Sequence, residues 1–121
     1  EPAAGVAHAL KELGELDQAE VCYAELTDRF PAQAVGWIEH ARIAVHQKRW
    51  ADARERWQAA AERFPERLLP AYGFARALEL LGDLEQAEAH YAELTNRFPA
   101  HAEGWIGYAR IAESQKRWAD A

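Results

Sequence analysis

The sequence has very few residues that form covalent or metal cross-links. Its 121 residues include a single cysteine, Cys22, and no methionine. One cysteine cannot form an intramolecular disulfide, and no cysteine pair is present to bind zinc. We therefore expect Cys22 to be a small, buried apolar residue rather than a reactive thiol.

Long apolar runs and an excess of positive charge are also missing. No run approaches the roughly 20 residues that a membrane-spanning helix needs, and the first residues do not have the pattern of a secretory signal. Fourteen basic against 20 acidic side chains give a net charge of −6, which argues against nucleic acid as a partner. Half of the residues are hydrophobic, enough for a core. We expect a soluble piece of a longer protein, from the cytoplasm or a bacterial periplasm.

A repeat of 34 residues runs through the chain. The tripeptide Arg-Phe-Pro ends at Pro31, Pro65 and Pro99. A second period of 68 residues is superimposed, because residues 10–53 match residues 78–121 at 31 of 44 positions. Adjacent units therefore alternate between two types. We take the units as residues 1–33, 34–67, 68–101 and a partial unit 102–121, all in one domain.

Each unit has the pattern of two helices. In the second unit, Trp37 and Ala41 lie on one apolar stripe, and a second stripe runs through Trp50, Ala53 and Trp57. A proline cannot continue a helix, so each Arg-Phe-Pro predicts the end of a unit. Turns between the two helices are predicted at Gly14, Gly82, Gln47-Lys48-Arg49 and the equivalent Lys116-Arg117. We predict an all-α fold.

The period, the two-helix unit and the small and aromatic positions together resemble the tetratricopeptide repeat. Alanine fills the small position of the first helix, and the aromatic position of the second helix is Tyr23, Trp57 or Tyr91. The segment Trp37-Ile38-x-x-Ala41-Arg42 is also similar to the half-a-TPR variant. The resemblance implies a right-handed α-solenoid of antiparallel helix pairs, a superhelix in which each unit stacks on its neighbours.

The resemblance further implies a concave groove that the first helix of each unit lines. It places three arginines in that groove, one in each of three units, next to apolar side chains that would contact the same partner. The expected partner-binding residues are Ile38, Arg42, Tyr72, Arg76, Ile106 and Arg110. Guanidinium groups suit carboxylates and backbone carbonyls.

The alternative is that these arginines form structural ion pairs. Arg76 and Arg110 each have a glutamate three residues on, at Glu79 and Glu113. Arg42 has Val45 at that position, so we expect Arg42 to be the free one.

The carboxylate clamp of chaperone-binding members of the family is not found in this sequence. Its positions, read from the second unit, are occupied by Ile38, Arg42, Gly73, Glu103 and Gly107. Read from the first unit, they are occupied by Ala4, His8, Glu39, Leu69 and Gly73. We therefore do not expect this chain to bind the acidic C-terminal tail of a chaperone.

The remaining aromatic and basic repeats have structural interpretations. Trp37, Trp57 and Trp105 occupy packing positions and are predicted to be core, while Trp50 and Trp118 are predicted to begin second helices. The arginines that precede each Phe-Pro are predicted to satisfy carbonyls at the end of their own helix; they are Arg29, Arg63 and Arg97. We also predict that the last helix exposes an apolar edge at Trp105, Tyr108 and Ile111, which drives end-to-end association or helix exchange.

The sequence has no motif of an enzyme. The histidines lack metal-ligand spacing, and His40 shares a repeat position with Tyr108, which makes it a packing residue rather than a general base. We expect no cofactor and no metal. The predicted function is a non-catalytic scaffold that binds a peptide segment or protein domain. The alternatives are an accessory segment of a larger bacterial glycosyltransferase or sulfotransferase, and a self-assembly module.

Overall fold

The computed structural model describes residues 15–120, with side chains to residue 115. Six α-helices and no strand occur in this range, which confirms the prediction of an all-α, TPR-like solenoid. The predicted first helix of the first unit, with Gly14, lies outside the described residues. The helices are α1 (Leu16–Arg29), α2 (Ala34–His46), α3 (Trp50–Arg63), α4 (Leu68–Leu80), α5 (Leu84–Arg97) and α6 (Glu103–Asp120).

Each of these helices packs against the next one in sequence, and α4 also contacts α6. Alanines at the helix contacts let the axes approach closely. The ones that recur at 34-residue steps are completely buried: Ala19, Ala53 and Ala87 in the second helices, and Ala41 and Ala75 in the first helices. The larger aromatic side chains Tyr23, Trp57 and Tyr91 fill the remaining space and are at most 4% exposed. Burial of each such ring contributes about 2 to 3 kcal/mol to folding.

Two glycines of the first helices lie directly against these rings. A Cβ atom at Gly73 would be 2.3 Å from the indole of Trp57, and one at Gly107 would be 2.3 Å from the ring of Tyr91. Any side chain there would have to displace the ring, so glycine is required by this close approach. The aromatic rings therefore set how closely neighbouring units stack.

The turns inside the second and third units share one geometry. Lys48 and Gly82 occupy the same repeat position and have φ values of 59° and 88°. In both turns the next amide closes the helix from five residues away, Arg49 N–H to Ala44 O at 2.8 Å and Asp83 N–H to Leu78 O at 3.0 Å. This is the Schellman pattern, in which the left-handed residue is usually glycine.

The predicted turn at Lys116-Arg117 is wrong, because α6 continues to Asp120. The sequence from Gln115 to Asp120 is identical to that from Gln47 to Asp52. A left-handed lysine is unfavourable by about 1 to 2 kcal/mol, and in the second unit the packing of α3 against α2 offsets that cost. Four residues follow Arg117 in this sequence, too few to form such a helix. Trp118 consequently lies within α6 rather than at the start of a second helix.

The turn geometry predicts opposite effects of two exchanges. Lys48→Gly should raise the free energy of unfolding by about 1 kcal/mol, because it relieves the left-handed strain, and Gly82→Lys should lower it by a similar amount. Urea denaturation of both variants measures this. Gln47→Gly is the control, since Gln47 has a φ of −89° and should gain nothing. Stability that falls in Lys48→Gly as much as in Gln47→Gly would contradict the prediction.

Candidate functional site

A groove of about 530 Å³ lies between the first helices α2 and α4, and α3 contributes two tryptophans to its lining. Two arginines, one from each first helix, stand among apolar and aromatic side chains. The residues that line the groove are Arg42, Ile43, Val45, His46, Trp50, Trp57, Leu69, Tyr72, Gly73, Arg76, Ala77 and Leu80. We call this cavity the α2–α4 groove.

The α2–α4 groove contains three of the six predicted partner-binding residues: Arg42, Tyr72 and Arg76. Ile38 lies in an adjoining cavity of about 570 Å³, which it shares with Arg42. The other two are elsewhere. Ile106 is 56% exposed on α6, and Arg110 is engaged in an ion pair between units.

Glu79 is the centre of a polar cluster behind the groove. Its carboxylate accepts two hydrogen bonds from Arg110 of α6, from Nε and Nη2 at 2.7 Å each, and one from the Tyr91 hydroxyl of α5 at 2.8 Å. Nη1 of Arg76, one turn away on α4, lies 3.1 Å from the same carboxylate. Two arginines thus share one glutamate, as the structural alternative predicted for Arg76, while Arg110 pairs across units.

The hydrogen bonds keep Glu79 ionised. Burial of the side chain raises its pKa, but the bonds from Arg110 and Tyr91 and the charges of Arg110 and Arg76 outweigh burial and lower the pKa to about 2. Burial, together with the hydrogen bond to Glu79, raises the pKa of Tyr91 well above its ordinary value. At neutral pH the cluster therefore holds two positive charges and one negative charge, a net charge of +1.

The expectation that Arg42 is free is wrong. Its Nη1 lies 3.0 Å from Oε2 of Glu39, three residues before it. A helix brings residues three apart together in both directions, and the glutamate on the N-terminal side was overlooked. In both groove pairs the guanidinium is the outer member: the side chains of Arg42 and Arg76 are 48% and 40% exposed, those of Glu39 and Glu79 14% and 12%.

The arginines of the Arg-Phe-Pro repeats do not serve their own helix ends alone. Arg63 donates from Nε to the carbonyl oxygen of Pro31 at 3.2 Å, and Arg97 donates to that of Pro65. Each bond reaches the proline one unit earlier, which corrects the predicted role. Arg29 instead pairs with Glu25 on its own helix. The 34-residue spacing of arginine and proline was the available signal for this link.

The tryptophans divide between core, groove and surface. Trp57 is buried, as predicted, and Trp37 is half-buried with its indole N–H donated to Pro31 O at 3.2 Å. Trp50 begins α3, as predicted. That Trp50 and Trp57 also line the groove was missed, because aromatic residues of second helices were assigned to packing alone. Trp105 is 57% exposed, so its prediction as core is wrong.

The predicted apolar edge of the last helix is correct in part. Trp105 and Tyr108 are exposed on α6, at 57% and 41%, whereas Ile111 is 1% exposed and belongs to the core around Tyr91. Ile111 points back toward the preceding unit, which buries it. The side of α6 that faces away from that unit carries the exposed residues.

Other chemistry finds no support in the described part of the chain. Among residues 15–120, no cluster of three histidine, cysteine or acidic side chains could hold a metal ion, and none of the helices there combines the length and apolar character needed to cross a membrane. The side chain of His40 is half-buried, and burial with the nearby charge of Arg56 lowers its pKa.

Two models of the tetratricopeptide repeat family match the sequence, one over residues 7–67 and the other over residues 44–111. Each match spans half of the chain or more. The chain therefore belongs to the tetratricopeptide repeat family, whose repeats are in general non-catalytic protein-interaction modules. A comparison with curated proteins finds no match.

Several solved structures of such domains have the same fold. The first TPR of Spaghetti (RPAP3), bound to the HSP90 peptide SRMEEVD, superposes with a TM-score of 0.81 at 19% identity, covering 94% of this chain and 90% of that one. The second TPR domain of human RPAP3, in complex with the HSP70 peptide SGPTIEEVD, gives 0.79 at 14%, covering 91% and 92%. The Arabidopsis OM64 TPR domain gives 0.78 at 15%, covering 93% of both chains.

The Glu79 cluster predicts a pH dependence of stability. The pKa of Glu79 in the folded state is about 2, below the ordinary 4.5, so the ionised carboxylate stabilises the fold above pH 4.5 and this contribution disappears as the pH falls toward 2. Glu79→Gln should cost about 1 to 2 kcal/mol at pH 7, and the difference from the parent should shrink steadily below pH 4.5. Urea denaturation at pH 7, 4 and 2.5 measures it.

Glu25→Gln is the matched control, because Glu25 also faces an arginine but is 52% exposed. Its effect should be small at every pH. A Glu79→Gln penalty that stays constant from pH 7 to pH 2.5 would show that the lost interaction does not depend on the ionised carboxylate.

Proposed function

We propose that this chain is a non-catalytic interaction module that binds a peptide segment of another protein in the α2–α4 groove. The segment lies across the successive first helices, and its carboxylates or backbone carbonyls bind the outward-facing guanidinium groups. Support comes from the family and from two structures of similar fold that hold HSP90 and HSP70 peptides. Peptide-binding sites in helical scaffolds combine apolar surface with a few oriented polar groups.

The observation that carries the proposal is that Arg42 and Arg76 stand in one apolar groove as the outer members of their ion pairs. Each has its own glutamate beneath it, and Glu79 is also bonded to Arg110. The cluster therefore retains a net positive charge next to the groove. Arg76 reaches Glu79 through one nitrogen, and a guanidinium has five N–H donors. A ligand with an acidic side chain fits this arrangement.

The apolar part of the ligand would contact the walls between the two arginines. Tyr72 and Leu69 of α4 and Trp50 of α3 offer this surface. Ile38 would extend it into the adjoining cavity. The proposed roles of the last two residues change with the geometry: Arg110 is a positioning residue that fixes Glu79, and Ile106 lies on α6 away from the α2–α4 groove.

The ligand is not expected to be the acidic C-terminal tail of a chaperone. The positions of the carboxylate clamp hold Ile38, Gly73, Glu103 and Gly107 together with Arg42. Gly73 is pressed against Trp57 and Gly107 against Tyr91, so neither position offers a side chain that could bind a terminal carboxylate. Specificity in this chain would instead come from Arg42 and Arg76 with the apolar walls between them.

A random 12-residue peptide library displayed on phage tests the proposed site. Peptides selected on the 121-residue chain should carry an Asp or Glu near a large apolar residue. Synthetic copies should bind the variant Arg42→Glu/Arg76→Glu at least about tenfold more weakly, since each lost charge-assisted contact is worth about 1.5 to 3 kcal/mol. Isothermal titration calorimetry provides the affinities.

The variant Arg29→Glu/Arg54→Glu is the control, with the same change in net charge on second helices outside the groove lining. It should bind the selected peptides as the parent does. Peptides that bind the groove variant and the parent equally would exclude the proposed role of the two arginines. The peptide SRMEEVD serves as a second probe, and tight binding of it would contradict the expected specificity.

A further inference from the structure

The outer side of α6 is an unusually apolar surface. Trp105 is 57% exposed, Ile106 56% and Tyr108 41%, and Ala109 next to them is also exposed. This surface is distinct from the α2–α4 groove, which none of these residues lines. We call it the α6 face.

A near-copy of the α6 face exists inside the same chain. Residues 34–46 of α2 and residues 102–114 are identical at eight of 13 positions, including Trp37 with Trp105 and Ala41 with Ala109. The copies differ in their surroundings, because Ala41 is completely buried and Ala109 is exposed. The buried copy therefore shows which kind of structure fits this sequence.

The element that covers α2 is helix α3. Ala41 and Ala44 pack in one cluster with Ala53 and Trp57 of α3. At the other end, Trp37 meets the ring of Phe64 edge to face, with centroids 6.5 Å apart. Small residues at the crossing and an aromatic edge at the end thus define the complement of this face.

Two arginines add polar contacts to the same interface. Arg56 of α3 donates to the carbonyl oxygen of His40 at 2.9 Å. Arg63 donates to the carbonyl oxygen of Pro31 at 3.2 Å and its guanidinium lies over the ring of Trp37. The equivalent positions near α6 are Tyr108 and Pro99, which supply the same backbone acceptors.

We propose that the α6 face is a docking surface for a separate amphipathic helix with the pattern of α3. That helix carries a small residue and, four positions on, a large aromatic residue, as Ala53 and Trp57 do, and ends in an Arg-Phe pair like Arg63-Phe64. It packs antiparallel on α6, its small residue against Ala109 and its terminal aromatic ring against Trp105. Its arginines bind the carbonyl oxygens of residues 108 and 99.

A folded second copy of the chain is not the proposed partner. In such a copy, α3 lies between α2 and α4, with Ala53 completely buried and Trp57 only 4% exposed. Those side chains are unavailable unless the copy unfolds. The partner is therefore a helix whose apolar stripe is free before it binds.

A peptide of residues 50–66 from this chain is a direct probe of the α6 face. Labelled with fluorescein and titrated with the 121-residue protein, it should give saturable 1:1 binding by fluorescence anisotropy. Ala109→Arg should weaken binding at least about tenfold, because the added side chain fills the helix crossing. Trp105→Ala should weaken it several-fold through loss of the aromatic contact.

The controls separate this surface from other sites. Ala89→Arg places the same side chain at an exposed position of α5 and should leave the affinity unchanged. Arg42→Glu/Arg76→Glu should also leave it unchanged, so failure of the groove proposal would not affect this result. A peptide with Ala53→Arg and Trp57→Ala should not bind. Circular dichroism verifies that the variants keep their helices, which is expected because the altered residues are exposed.

Two results would overturn the proposal. One is the absence of peptide binding, or binding that Ala109→Arg leaves unchanged, as exchange of the peptide with the protein's own α3 would produce. The other is a dimer in sedimentation that Ala109→Arg dissociates and the peptide fails to displace, which would assign the α6 face to a second copy.

Discussion

The stacking of small residues against aromatic rings is the contact on which this molecule depends. A 34-residue step brings an alanine or glycine of one helix to the ring of another, as Gly73 to Trp57 and Gly107 to Tyr91. No unit could bury these rings alone, so each is stable only because its neighbour supplies the missing side. The spacing of the first helices, and with it the width of the α2–α4 groove, follows from that distance.

Polar interactions then orient what packing has brought together. Glu79 receives hydrogen bonds from α5 and α6 and an ion pair from its own helix. Its charge is stabilised by groups on three helices, and the neighbouring Arg76 is held at the groove as a result. Glu20 has a similar position between α1 and α3, where burial raises its pKa and Arg56 and Arg49 lower it to below the ordinary value. These clusters link units at points where apolar contact alone would leave a choice of orientation.

The fold was predictable from sequence to a large extent because its signals are repeated. Three Arg-Phe-Pro segments each predict a helix end, and the structure ends helices at Arg29, Arg63 and Arg97. The alanine positions predicted the helix contacts for the same reason. Side-chain partners were harder to predict, because a helix offers each arginine neighbours on both sides and across units. Arg42 pairs backward and Arg110 pairs across units, and only three-dimensional distances separate these options.

Exposure of α6 depends on what is absent beside it rather than on its own letters. Trp105 and Trp37 have the same neighbours in sequence, yet one is exposed and the other half-buried. Local pattern predicts which residues are suited to a contact, and the presence of α3 decides whether the contact forms. A sequence argument applied to one unit at a time cannot make that distinction.

The two copies of Gln-Lys-Arg-Trp-Ala-Asp illustrate a conformational equilibrium within one sequence. At residues 47–52 the hexapeptide leaves a helix through a left-handed lysine, and at residues 115–120 it continues one. The intrinsic difference between the two states is therefore small enough for a single packed helix to reverse it. Any molecule that stabilises one state of the second copy would also shift the length of α6, so occupancy at that end of the array and the helix content of the chain are thermodynamically linked.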